Sequence, residues 1–174
     1  MVTKLILIKM NLMTATKKGL ITGIVMILVS VIIYYTKGNF DNKLQYITYS
    51  IYVAGIVWTL IEFSRLKDHP NKFGAYFSQG FKCFIVVTLL MVIFTVAFLL
   101  MQPQLKDEMV VIYKADLLKT GNYTMPEIEE KTGIAKKSFL PSLIMGAIFG
   151  YLIIGAMVTA ITSGFLIQKN KAAA

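Results

Sequence analysis

The chain has 174 residues, is 56% hydrophobic and has a mean hydropathy of +0.67, which excludes an ordinary soluble domain of this size. Its net charge of +9 does not point to nucleic acid, because the eighteen basic residues stand mainly in short segments beside apolar runs. One cysteine, Cys83, excludes an internal disulfide and a paired-cysteine metal site; at the start of an apolar run it reads as a packing group.

Residues 1–18 carry Lys4, Lys9, Lys17 and Lys18 and no acid. Met10 and Met13 each offer a later start, so residues 1–9 read as an upstream extension or a frayed helical one. Residues 19–36 form the first predicted span, eighteen residues without a charge. The run is longer than a signal-peptide core and no small-x-small cleavage site follows it, so it reads as a retained helix. Ala15, Gly19 and Gly23 recur every fourth residue, a strip that lets another helix come close. The abundance of glycine in membrane helices explains them equally well.

Residues 37–43 are a connection short enough to force an antiparallel hairpin with the second predicted span, 44–63. Tyr46, Tyr49 and Tyr52 share one helical face there; with Tyr34 and Tyr35 they fit an aromatic belt at a membrane boundary. The alternative is a tyrosine-lined cavity. Glu62 is the only acid inside or beside an apolar run, and an uncompensated carboxylate in lipid costs roughly 3 kcal/mol. Arg65 lies three residues on, so an interfacial ion pair is favoured over a proton- or cation-coupling carboxylate. His69, the single histidine, has no second His or Cys to complete a metal site and reads as a loop residue, and Pro70 prevents the helix from continuing.

From Cys83 to Met101 nineteen residues pass without a charge, about 28 Å of helix and close to the hydrocarbon thickness. The third predicted span is therefore 82–102, bounded by Lys82 and Pro103. Ahead of it, Phe77-Ser78-Gln79-Gly80-Phe81-Lys82 reads as an interfacial helix start, with Ser78 capping and Lys82 snorkelling outward. The functional alternative joins Ser78 and Gln79 to Glu62 and Arg65 as one polar site.

Arg65-x-Lys67-Asp68, then Lys72-Phe73-Gly74-x-Tyr76-Phe77-Ser78-Gln79-Gly80-Phe81-Lys82 and a long apolar helix, resemble an uncharacterised family. It comprises small four-span inner-membrane proteins, found mainly in Bacteroidota and known only as a domain of unknown function, and a glycine-rich fourth span completes its pattern. The resemblance covers about residues 13–171. It implies topology and membrane location, and carries no catalytic residue across.

The segment 103–137 is the only large extramembrane stretch, and with its flanks it balances six lysines against six acids. A helical period runs from Leu105 to Leu117 and stops at Gly121. Thr124-Met125-Pro126-Glu127 is a capping box that starts a second short amphipathic helix, expected to end at Gly133. The fourth predicted span, 138–168, has thirty-one uncharged residues, more than one bilayer crossing needs. Gly146 and Gly150, continued by Ala156, Ala160 and Gly164, form a small-residue strip that serves either helices of one bundle or two protomers, with internal packing the simpler reading.

Lys and Arg counted on the two sides place both termini in the cytoplasm, with ten against eight basic residues but net charges of +8 against +1. The expected fold class is thus all-α, a membrane-embedded four-helix bundle with two short amphipathic helices between spans three and four. No nucleophile–base pair, phosphate loop or metal-ligand spacing stands in the sequence, so an enzyme is the weakest class and no cofactor is expected. The leading expectation is a non-catalytic accessory or assembly subunit of the bacterial cytoplasmic membrane that binds another membrane or envelope protein, a homo-oligomer being the alternative assembly. Two other functions stand beside it: a small transporter or lipid-handling protein with a polar site near Glu62, and, by analogy alone, an anchor for a polyprenyl-phosphate glycosyltransferase.

Overall fold

The computed structural model describes residues 14–37, 42–66 and 70–172, with the side chains of 37 and 42–45 left aside. Lys4, Lys9, Met10, Met13, the centre of the first connection and the Lys67-Asp68-His69 stretch lie outside the described residues.

Five helices and no strand make up the described chain: α1 Ala15–Lys37, α2 Asn42–Ser64, α3 Phe73–Met101, α4 Gln104–Thr120 and α5 Met125–Ala172. Four of them, α1, α2, α3 and α5, are long and apolar enough to cross a membrane, α3 being the most apolar at a hydropathy of 3.0. The protein is an all-α membrane protein. In lipid a helix satisfies its own backbone, which is why apolar runs of this length take that form.

Local chemistry sets the helix ends. Thr14 Oγ1 accepts from the Lys17 N–H at 3.3 Å, so α1 starts four residues before the uncharged run and takes Lys17 and Lys18 inside it. At the end of α2 the N–H groups of Arg65 and Leu66 donate to the carbonyls three residues back, tightening the last turn. Helix α3 begins at Phe73, so Ser78 lies within the helix and does not cap it. Pro103 separates α3 from α4, and Gly121, at φ 65°, closes α4 in the left-handed conformation.

The loop between the third and fourth spans differs from expectation. Only α4 is a separate helix there; the second short helix continues without a break into the fourth span, giving α5 its 48 residues. The capping box does start it, in altered form: Thr124 N–H and Thr124 Oγ1 both donate to Glu127 Oε2, at 2.7 and 2.9 Å. A glycine stops a helix by adopting the left-handed conformation, and among the described residues Gly121 alone has a positive φ. Gly133 stays helical, at a cost of only about 1 kcal/mol. Pro141 also lies inside α5. It removes one N–H, which a membrane helix tolerates where hydroxyls or local adjustment satisfy the freed carbonyl.

The chain divides into two compact units: one takes in the chain up to Met91 together with Gly150–Ala174, and the other is Val92–Phe149. In the first unit, glycines carry the packing. A Cβ on Gly19 would stand 2.6 Å from the Cys83 carbonyl oxygen, and one on Gly55 would collide with Thr22. Gly80 receives Thr159 in the same way, and Gly155 receives the Tyr52 hydroxyl and Phe84. Because Gly155 has no side chain, Tyr52 Oη reaches the α5 backbone and donates to the Tyr151 carbonyl at 2.8 Å. Tyr52 is fully buried, and its ring meets that of Tyr151 edge-on at 5.3 Å. At the other end of α5, Asn170 Nδ2 donates to Tyr76 Oη at 2.9 Å. The second unit has a smaller core in which Leu105, Leu117 and Ile128 are buried.

Candidate functional site

The buried face of α1 is written at helical spacing: Ala15, Lys18, Thr22 and Met26 are all nearly inaccessible to solvent. Lys18 is the exceptional member. It is 3% exposed, and its Nζ is paired with Glu62 Oε2 on α2. Glu62 keeps 29% of its side chain accessible, so the pair has an inner cationic end and a half-open anionic one. The indole of Trp58, one turn before Glu62, lies 5.6 Å from the ammonium and adds a cation–π contact.

Hydroxyls and one thiol continue the polar stripe inward. Thr22, one turn beyond Lys18, sits against Gly55. Thr59 Oγ1 donates to the Gly55 carbonyl at 2.8 Å and lies 3.3 Å from Cys83 Sγ. Thr88 returns its hydroxyl to the Phe84 carbonyl at 2.8 Å, the usual way for a helical hydroxyl to satisfy itself away from water. Thr36, Ser50 and Ser138 do the same. Thr159 and Ser163, one turn apart on α5, do not: both are fully buried, and neither Oγ finds a hydrogen bond among the described residues.

An ammonium and a carboxylate in contact present no net charge to lipid, and the attraction of each offsets part of the desolvation penalty that the other would face alone. The pair therefore locks α1 to α2 at one register. Either partner standing alone would be a buried, uncompensated ion.

The expected polar site is rearranged. Glu62 is paired, but with Lys18 rather than Arg65; Arg65 is exposed beyond the end of α2 and forms no ion pair among the described residues. The physical reason is that a helix-terminal arginine keeps its hydration, whereas Lys18 is already buried and has no other counter-charge among the described residues. Ser78 is exposed and Gln79 half-buried on α3, and among the described residues no hydrogen bond or ion pair joins either to Glu62.

The small-residue strips also separate. Gly19 and Gly23 meet α3 directly, at Cys83 with Val86 and at Leu90. On α5, Gly146, Gly150 and Gly164 have no atom within 4 Å of where a Cβ would stand, while Ala156 and Ala160 are half-buried. Internal packing, the simpler expectation for that strip, thus does not use its glycines; the one that α5 places in the bundle is Gly155, which lay outside the pattern. Lys18, Trp58, Thr22 and Thr59 were not singled out from the sequence either, because Lys17 and Lys18 read as orientation charges.

Compared with known proteins, the chain matches the family described as "Protein of unknown function (DUF4199)" over residues 17–167, a stretch that contains both members of the charge pair. No curated protein and no solved structure matches it.

Proposed function

We propose that this chain, which belongs to the DUF4199 family, is a non-catalytic multi-pass membrane subunit that binds another membrane or envelope protein through α5. The observation that carries this reading is the open strip on that helix. Gly146 and Gly150 stand one turn apart with free space over both, beside the exposed side chains of Met145, Phe149 and Ile153. Small residues at this spacing let a second transmembrane helix approach backbone to backbone, which is how helices associate where lipid removes the hydrophobic drive. The intramembrane charges support the same reading, since Lys18 and Glu62 are engaged with each other. The distribution of lysines and arginines favours both termini in the cytoplasm, and the family resemblance favours a bacterial inner membrane.

The test is capture of the tagged protein from its native membrane in mild detergents, beside a Gly146→Leu/Gly150→Leu double variant. The expected result is a stoichiometric membrane-protein companion that the variant loses while keeping its own fold. Recovery of the wild-type chain alone in several mild detergents would sink the reading.

A second reading, a small transporter or lipid-handling protein with its polar site near Glu62, draws support from Thr159 and Ser163, buried without hydrogen bonds in the same unit as the charge pair. It predicts that a transported or bound solute stabilises the wild type and that Glu62→Gln removes this stabilisation. Unchanged linkage in the variant would dispose of it.

A further inference from the structure

Within the second unit, α4 and α5 border an open groove of about 510 Å³, inside the range of small-molecule sites. Its long wall is one face of α5, on which Lys131, Ile134, Ser138 and Ser142 follow one another at three- and four-residue steps. Phe139 and Leu143 line its inner half, and Tyr113 stands opposite on α4. From Lys131 to Leu143 the helix rises about 18 Å.

Along this face the chemistry changes once. Lys131, Lys136 and Lys137 precede Ser138, and from Ser138 to Gln168 α5 carries no charge. The groove therefore crosses the level at which α5 passes from charged to lipid-compatible sequence, with a cation at its head and aromatic and aliphatic groups further in. Lys131 stands about 10 Å before Ser138 along the helix. The headgroup layer is about 5–8 Å deep on each side of a bilayer, and a lysine stem readily spans the remainder.

The cation at the head forms no ion pair among the described residues, although its charge reaches the Glu127 carboxylate. Lys136 is paired with Asp107 at 2.7 Å. Glu127, one turn before Lys131 on the same face, is tied to Thr124 through the capping bonds. Lys131 itself forms no ion pair among the described residues; its Nζ lies 4.7 Å over the ring of Tyr123, which orients the ammonium without neutralising it. No acid stands in the groove wall.

We propose that this groove binds one anionic phospholipid, its phosphate on the Lys131 ammonium and one acyl chain along Ile134, Phe139 and Leu143. The layout matches an amphiphile end to end, and an ammonium without an ion pair among the described residues, in a wall that holds no acid, selects the anionic kind. The proposal does not rest on the partner-binding reading, although the groove wall leads at the next four-residue step to Gly146 on the same face of α5.

Native mass spectrometry of the detergent-purified full chain, titrated with phosphatidylglycerol or with phosphatidylcholine of the same acyl chains, tests it. One phosphatidylglycerol should bind in preference to phosphatidylcholine. Lys131→Gln should weaken it about fivefold, the size of one lysine–anionic lipid contact, while Lys137→Gln, the same charge change outside the wall, leaves it unaltered. Ala135→Trp, which fills the groove, should abolish it; should that variant misfold, the lysine pair of variants decides alone. Equal binding of the two lipids, equal loss in both lysine variants, or retention by a folded Ala135→Trp protein would overturn the proposal. So would inorganic phosphate displacing the lipid at comparable concentration, which would make the groove a free-anion site.

Discussion

The two units handle the same ingredients in opposite ways. In the first, Gly19, Gly23, Gly55, Gly80 and Gly155 lie against other residues while Gly74, Gly150 and Gly164 stay open, an ion pair is buried to 3% exposure at its lysine, and a tyrosine hydroxyl reaches a helix backbone. In the second, Gly133 and Gly146 meet open space, and the ion pair Lys136–Asp107 is more than half exposed at both ends. The lesson is that residue type does not assign a role; surroundings do. A lysine–carboxylate pair is a structural lock where water is excluded and a minor surface contact where it is not.

The largest effect expected from testing that contrast is at Lys18. Lys18→Met leaves Glu62 uncompensated and should lower stability by about 3–5 kcal/mol, whereas a Lys18→Met/Glu62→Met double variant should recover most of the loss. Unfolding in detergent would show it, and a double variant no better than the single would mean the pair is not the lock described. Next come the glycines. Gly155→Leu must displace Tyr52 and Phe84 and should cost about 1–3 kcal/mol or more, while Gly146→Leu should change stability by less than about 0.5 kcal/mol. Equal effects at the two positions would erase the distinction between a filled and an open glycine. Tyr52→Phe, which removes the bond to the Tyr151 carbonyl and the contact with the Thr88 hydroxyl, should cost about 0.6 kcal/mol or slightly more, a typical interhelical hydrogen bond in a membrane.

The smallest effect belongs to the exposed pair. The hydrogen bond from Lys136, and then its charge, hold the Asp107 carboxyl below its ordinary value of 3.8. A depressed carboxylate adds stability above the unfolded-state value and loses it as pH falls through the folded one. The second unit should therefore weaken slightly on acidification below about pH 4, and Lys136→Met should remove the Asp107 share of that dependence at the cost of an equally slight loss at neutral pH. A sizeable neutral-pH loss in that variant, followed by hydrogen exchange in α4, would contradict the surface assignment.

Much of this was legible in the sequence because lipid imposes simple rules. Runs such as Cys83–Met101 could only be helices, and the strip Gly19–Gly23 announces a close neighbour without naming it. What escaped was partnership. In sequence the neighbour of Glu62 is Arg65, whereas residues 18 and 62, 19 positions before the end of α1 at Lys37 and 20 after the start of α2 at Asn42, meet across the two helices. Lys18 was hidden by Lys17: adjacent lysines read as one basic cluster, yet a helix turns them about 100° apart, one outward and one into the bundle. Gly133 misled for a related reason, since its identity permits a stop that only the left-handed conformation executes. Gly155 was passed over because it stands off the four-residue pattern, and what fixes its importance is Tyr52, far away in the chain.

The lock between α1 and α2 also bears on how the protein enters its membrane. Alone in the bilayer, α1 would turn Lys18 toward the headgroups, and α2 would do the same with Glu62. Only a closed hairpin lets both groups withdraw together as a neutral couple. Insertion of these two segments is thus a joint event, and the first helix should not settle at its final depth until the second has emerged to meet it.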